Sequence, residues 1–432
     1  MRKIFFIFLC IFVFLNVLLA KTQKRPQESL VLSDLIQEAL ENNPRLVAAG
    51  QRALSAERAV PQAGALPDPR ISFGLMNLPV NSFAFDQEPM TGKQIAVMQM
   101  FPFPGKLSLS TDMAEFEAAA VQQQKQEVRN QIIQTVRRAY YDLYAVERAL
   151  ETVQKNRDLM EQLIRVVETK YATGTGLQQD VLRAQVELSK LDDDLIMWRQ
   201  KRLVAATHLN AVLNRPAGNP LGRTLSNLEL LEETDPDFSP QEIERQRPLL
   251  IAWREKLKKA EAAVKLAHRD LWPNITVGAS YSQRDDLKTG AKMYDFFSMS
   301  VTLDIPLFNK RKQNQKIAER QLDFQAVQAE YANILNGVLA EVEVQKAEME
   351  KNRKRIELYE GGILLQAQQS LESAQAGYQV GKVDFLNVVD NWMRLLNYEL
   401  QYSFALSDYY KSLAGYELAV GKDVFETNSL RG

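Results

Sequence analysis

The chain is written twice. Residues 69–74 read PRISFG and residues 273–278 read PNITVG, the same short pattern at an offset of 204. At that offset Asn43-Pro44-Arg45-Leu46 corresponds to Arg247-Pro248-Leu249-Leu250, and Ala56-Glu57-Arg58-Ala59-Val60 to Ala260-Glu261-Ala262-Ala263-Val264. Pro102 and Lys106 correspond to Pro306 and Lys310. Further on, Tyr171-Ala172-Thr173-Gly174 matches Tyr378-Gln379-Val380-Gly381 at 207. A duplication of this length limits the fold to two copies of one unit of about two hundred residues.

The spacing predicts a first unit over residues 21–214 and a second over 241–423. A linker over 215–240, rich in Pro, Gly, Asn and Asp, joins them, and a tail follows over 424–432. Each unit reads helix, strand, strand, very long helix, glycine-bearing turn, last helix. The first helix is expected over 33–65 and again over 240–270.

The strands show themselves by period-two alternation. Ile275, Val277, Ala279 and Tyr281 point one way, with Thr276, Gly278, Ser280 and Ser282 opposite. Phe297, Met299, Val301, Leu303 and Ile305 form one face of the next strand, and Ser298, Ser300, Thr302 and Asp304 the other. In the first half Ile71, Phe73 and Leu75 alternate with Ser72, Gly74 and Met76. Prolines flank these strands, where a missing donor costs least.

The helices show heptads. Ile132, Val136, Ala139, Leu143, Val146, Leu150 and Val153 alternate steps of four and three, and the phase runs on through Met160, Ile164, Val167 and Tyr171, with Arg157 out of place. Phe324, Val327, Tyr331, Ile334 and Val338 begin a second seam, which slips phase toward Val342, Met349, Ile356 and Tyr359. Residues 107–171 as one helix would reach about 97 Å. Gly361-Gly362 should weaken the second long helix by roughly 1 kcal/mol per glycine.

A narrow heptad seam suits another helix, so the oily strand faces need a different cover. Lipid is one. Single-chain barrels start at about eight strands, so four cannot close alone and several chains would have to pool them. Phe101, Phe103, Tyr281, Phe296, Phe297 and Phe308 would then suit the membrane boundaries. A soluble coiled-coil protein with a small sandwich is the other reading.

Arg2 and Lys3 precede an apolar run from Ile4 to Ala20. Residues 1–20 thus read as a secretory signal, with an uncleaved anchor as the alternative. The run contains Cys10, the one cysteine of the chain. Cys10 follows Leu9, which does not suit a lipid-attachment site, and its removal with the signal would leave no disulfide. Net charge is −1, and −3 without Arg2 and Lys3, so no basic field points to nucleic acid.

No HExxH, GxxxxGK[ST] or GxSxG motif is present, so no catalytic, cofactor or metal residue is assigned. His208 and His268 lack partnered spacing. Met76, Met90, Met98 and Met100 gather near the first hairpin, where thioethers could hold Cu(I), but filler at strand positions is the simpler reading. Gly174, Gly176 and Gly381 suit helix-ending turns. Asp180, Asp384, Asn387 and Asp390 follow those turns, and helix-start carboxylates are favoured there by the dipole alone.

The duplicated Asn-Pro/Arg-Pro helix start, LPDPRISFG with LWPNITVG, FPFPGK with IPLFNKRK, and the tips YATGTGLQQDVLRAQ and YQVGKVDFLNVVD together resemble the TolC-type outer-membrane efflux proteins. The resemblance covers residues 30–425. PMTGKQIAVMQMFPFPGK at 89–106 looks most like the heavy-metal, Cus/Czc-like branch. The family implies an α+β membrane protein and a homotrimer. Four strands per chain would make a twelve-stranded transmembrane β-barrel, continued by long antiparallel coiled-coil helices in a periplasmic α-barrel.

The function so implied is a passive exit duct in the outer membrane. It would join a periplasmic adaptor and an inner-membrane transporter, an RND type being expected, with heavy-metal cations as cargo and no cofactor. A duct for drugs or small organic molecules, or a non-catalytic periplasmic scaffold, are the alternatives. The family places the closed channel constriction at the tips, which assigns Asp180, Asp384, Asn387 and Asp390 to it. Asn387 and Asp390 fall on two ring positions, and Asn387 departs from the aspartate of the best-known member. Ala172, Thr173, Gly174, Thr175, Gly176, Val380, Gly381 and Lys382 are the expected adaptor contacts.

Overall fold

The structure, a computed structural model, describes residues 29–225 and 238–422, with Leu228 and Leu230 between them. The signal-peptide reading and the tail over 424–432 lie outside the described residues. In chain order the elements are α1 (Leu32–Asn42), α2 (Pro44–Ala63), β1 (Arg70–Met76), β2 (Gly92–Phe101), α3 (Lys106–Ala172) and α4 (Gln178–Val212). Then come α5 (Pro240–Gln246), α6 (Pro248–Arg269), β3 (Ile275–Gln283), β4 (Phe296–Leu303) and α7 (Gln313–Leu358). A π turn (Tyr359–Ile363), α8 (Leu364–Gln379) and α9 (Phe385–Val420) complete the chain. The described residues form two compact units, one drawn from within residues 29–45, 129–239 and 339–422, the other from residues 46–128 and 240–338.

The expected first helix of each half is two helices. Asn43 and Arg247 stand between them in extended conformation, with ψ of 119° and 120°. The cause is Pro44 and Pro248. A proline ring clashes with the residue before it and drives that residue out of the helical region. Pro61, by contrast, sits inside α2.

The sheet belongs to the second unit. Its order is β1-β2-β3-β4, antiparallel throughout, which leaves β1 and β4 as the outer strands. The hairpin loops lie at one end, and all four connections to helices lie at the other. The alternation read from the sequence is the alternation seen, except that β4 stops at Leu303, short of Ile305. Asp304 still donates its N–H to the Asn274 carbonyl at 3.2 Å. Pro306 then has no N–H to give.

A junction ties strand ends to helix ends within this unit. Phe103 stacks on Trp272 at 5.1 Å and 13°. Lys106 donates to the Trp272 carbonyl (3.0 Å) and to Asn274 Oδ1 (2.9 Å), and pairs with Asp270 at 3.4 Å.

The first unit holds a helical core. Val153, Met160 and Val167 of α3 meet Leu191, Leu195 and Trp198 of α4, together with Leu371 and Tyr378 of α8 and Phe385, Val388 and Trp392 of α9. Each buried side chain of this size contributes about 1.5–3 kcal/mol. The heptad seam of α3 supplies most of its share, but Tyr171 is 48% exposed. Buried charges in this unit are paired. Arg137 pairs with Glu417, and Glu147 accepts from Arg202 and from the N–H and Oγ of Thr224.

Gly361 and Gly362 lie in the π turn. Two adjacent glycines weaken the α-helical ladder enough for the turn to take in an extra residue. Ile356 before it, Tyr359 at its start and Leu371 and Tyr378 after it are all buried.

Candidate functional site

Cross-strand register sorts the sheet into two chemically distinct faces. One carries the rows Ile71–Val97–Ala279–Met299, Phe73–Ile95–Tyr281–Phe297 and Phe101–Ile275–Leu303. The other carries Ser72–Ala96–Ser280–Ser298, Arg70–Met98–Gly278–Ser300 and Met100–Thr276–Thr302. Among the described residues nothing covers the apolar face. Phe73 is 79% exposed, Met299 73% and Val301 69%. A contiguous apolar surface of this kind marks an interaction site. Among the described residues no helix is long and apolar enough to cross a membrane.

Met98 and Met100 sit on the polar face, while Met76 lies at the far end of the β1–β2 ladder and Met90 in the loop beyond it. The four do not converge. Among the described residues no group of three His, Cys, Asp or Glu could hold a metal ion.

The tips lie in the helical unit. One joins α3 to α4 and the other joins α8 to α9. Both end their helix in the same way. Gly174 has φ of 73° and Gly381 of 74°. Gly174 N–H donates to the Tyr171 carbonyl (3.0 Å) and Thr175 N–H to Lys170 (2.9 Å). Gly381 N–H donates to Tyr378 (3.1 Å) and Lys382 N–H to Gly377 (2.8 Å). This Schellman geometry needs a left-handed residue at its centre. A Cβ on either glycine would meet nothing within 4 Å, so backbone conformation alone selects glycine there.

The expected adaptor contacts Ala172, Thr173, Gly174, Thr175, Val380, Gly381 and Lys382 are exposed, and Gly176 is half-buried. Of the expected constriction residues, two come together. Asp384 is the N-cap of α9 and Asp180 lies in the first turn of α4. Burial holds the Asp180 carboxyl above the usual carboxylate range; Arg183 opposes the shift and Asp384 adds to it. The Tyr378 hydroxyl faces Asp180 without closing a hydrogen bond of normal geometry.

Asn387 and Asp390 lie on the exposed side of α9. Asp390 pairs with Arg394 at 3.2 Å. The offset of 207 makes Asp180 the counterpart of Asn387, and Arg183 the counterpart of Asp390.

Sequence reasoning missed Lys170, Tyr378, Arg183 and Arg394. Lys170 Nζ donates to the Gln379 carbonyl at 3.0 Å and lies 5.0 Å from the Tyr378 ring centre. Gln379 ends α8, where a cation complements the helix dipole. Tyr378 had a signal, as the counterpart of Tyr171. Lys170 had none.

The outer membrane efflux protein family matches this chain at residues 35–215 and again at 239–422. The outer membrane protein TolC of Vibrio cholerae is 20% identical over 92% of this chain and 93% of its own length. The cobalt-zinc-cadmium resistance protein CzcC of Cupriavidus metallidurans is 22% identical over 91% and 90%. Among solved structures, CusC superposes with a TM-score of 0.78 at 18% identity, covering 93% of this chain and 95% of that one. The outer membrane protein VceC of Vibrio cholerae superposes with 0.76 at 20% identity, covering 91% and 97%. The chain belongs to the outer membrane efflux protein family and is an outer-membrane channel of the TolC type.

Proposed function

We propose that this chain forms the passive exit duct of a tripartite efflux pump. Three copies would pool their four strands into one twelve-stranded barrel, with the apolar face on lipid and the polar face on water. The observation that carries this reading is the uncovered apolar face with its rows of Phe, Ile, Val and Met. The helices would extend the conduit into the periplasm, and the energy would come from an inner-membrane transporter, RND type, joined through a periplasmic adaptor.

In this reading Asp180, Asp384, Asn387 and Asp390 form the constriction. Ala172, Thr173, Gly174, Thr175, Gly176, Val380, Gly381 and Lys382 meet the adaptor, which opens the tips. Conduction asks for no nucleophile and no cofactor.

Heavy-metal cations are the proposed cargo. A cobalt-zinc-cadmium resistance protein and a cation efflux protein among the relatives support this. Relatives named for pyoverdine export and for toxin and drug export support the alternative of organic cargo. Fractionation tests the duct: the chain must stay with outer membranes through high-salt and carbonate washes. Release into the soluble fraction would dispose of it. Deletion of the gene followed by growth on zinc, cadmium, copper and silver salts, and on pyoverdine-like siderophores and drugs, tests the cargo.

A further inference from the structure

The two strand-to-long-helix turns follow one plan but use their cations differently. In the first, Lys106 is turned inward to Trp272, Asn274 and Asp270. Its counterpart in the second is Lys310, followed by Arg311 and Lys312 where the first turn has Leu107 and Ser108. Lys310, Arg311 and Lys312 are exposed, and none has an ion-pair partner among the described residues. Asp304 is the one acid in residues 304–312. The dipole of α7, which begins at Gln313, disfavours cations at that end, so helix stability does not account for them.

The same turn exposes its apolar side chains. Ile305 is 62% exposed, Leu307 78% and Phe308 80%, with Trp272 at 55%. They continue the oily face of the sheet past its last row, Phe101–Ile275–Leu303. The turn is set by its backbone: the N–H groups of Arg311 and Lys312 both donate to the Phe308 carbonyl at 3.1 Å. An apolar, aromatic step followed at once by three exposed cations matches the boundary between acyl chains and headgroups.

We propose that the β4–α7 turn binds anionic phospholipid. Leu307 and Phe308 would enter the acyl layer while Lys310, Arg311 and Lys312 hold the headgroup phosphates of the membrane leaflet on the helical side. The proposal rests on the reading that the sheet crosses a bilayer, and adds a lipid preference that the barrel itself does not require. The first turn, with its single lysine engaged, has no such site.

The test uses the full chain, extracted from outer membranes into neutral detergent and titrated with phosphatidylglycerol or phosphatidylethanolamine, with bound lipid read by native mass spectrometry. The wild type should retain phosphatidylglycerol at least about fivefold better. Lys310→Gln/Arg311→Gln/Lys312→Gln should lose most of that preference. Lys288→Gln/Lys292→Gln, on the opposite hairpin loop, should keep it. Molar salt should erase it in the wild type, which reads the same contact without any variant. Equal preference in wild type and triple variant overturns the proposal. So does loss of preference in the loop variant, persistence at molar salt, or displacement of the lipid by inorganic phosphate, which would mark a free-phosphate site. Failure to recover the wild type in membranes would instead sink the duct reading.

Discussion

Lys170 clamps Tyr378 from the neighbouring tip: its ammonium lies 5.0 Å from the ring centre while it donates to the Gln379 carbonyl at 3.0 Å. A single side chain thereby joins the end of α3 to the end of α8. An exposed cation–π contact contributes about 0.5–1 kcal/mol, and the hydrogen bond a similar amount. Lys170→Met keeps the stem and removes both. Single-channel recordings should then show larger or more frequent openings than wild type. Unchanged conductance and open probability would mean the contact does not restrain the tips.

Asp180 sets a pH dependence. Its folded-state pKa is raised, chiefly by burial. Protonation therefore favours the folded tip: the stabilisation is complete below the ordinary carboxylate pKa of about 4 and disappears as pH rises through the higher folded value. Tip amides should exchange more slowly in acid than intrinsic exchange rates alone explain. Asp180→Asn should flatten that dependence, and an unaltered profile in the variant would remove Asp180 from the account.

Asp390 should weight the channel toward cations even though Arg394 sits 3.2 Å away. Both side chains are exposed, so water weakens the pair and the carboxylate keeps its charge at the proposed constriction. Asp390→Ala should shift the reversal potential under a salt gradient toward weaker cation selectivity. An identical reversal potential would rule the residue out of the constriction.

Gly174→Ala and Gly381→Ala should each destabilise their tip by about 1 kcal/mol, because the cost is backbone strain and nothing else. The new methyl groups have open space. Gly176→Ala differs in kind. Its Cβ would lie 2.9 Å from Lys170 Cβ, so helix ends must move. Local hydrogen exchange distinguishes the two cases: confined loosening for the first pair, wider loss of protection for the third.

Val301→Lys places a charge in the middle of the oily face. On a lipid-facing strand this costs about 2–4 kcal/mol. The variant should fail to accumulate in outer membranes, whereas Ser300→Lys, on the other face, should accumulate. Equal recovery of both would mean that the apolar face does not meet lipid.

The strands were legible because alternation is a local signal, and Phe297 through Leu303 shows it without interruption. The long α3 was legible for the same reason. The breaks at Asn43 and Arg247 could be read in the Pro44 and Pro248 that follow, yet the helical pattern on either side concealed them, and Pro61 shows that a proline need not end a helix. Both tip glycines were visible through their matching neighbours. The partners of the site were not. Lys170 reaches Gln379 across 209 positions of sequence, and no periodicity encodes that meeting. Arg394 was one helical turn from Asp390 and could have been found by the i,i+4 rule.

Among the described residues β1 and β4 have a strand neighbour on one side only. A strand in that condition recruits whatever strand comes near. In the proposed assembly, a copy that has not met its companions would carry two such edges, open to wrong pairing until the ring shuts.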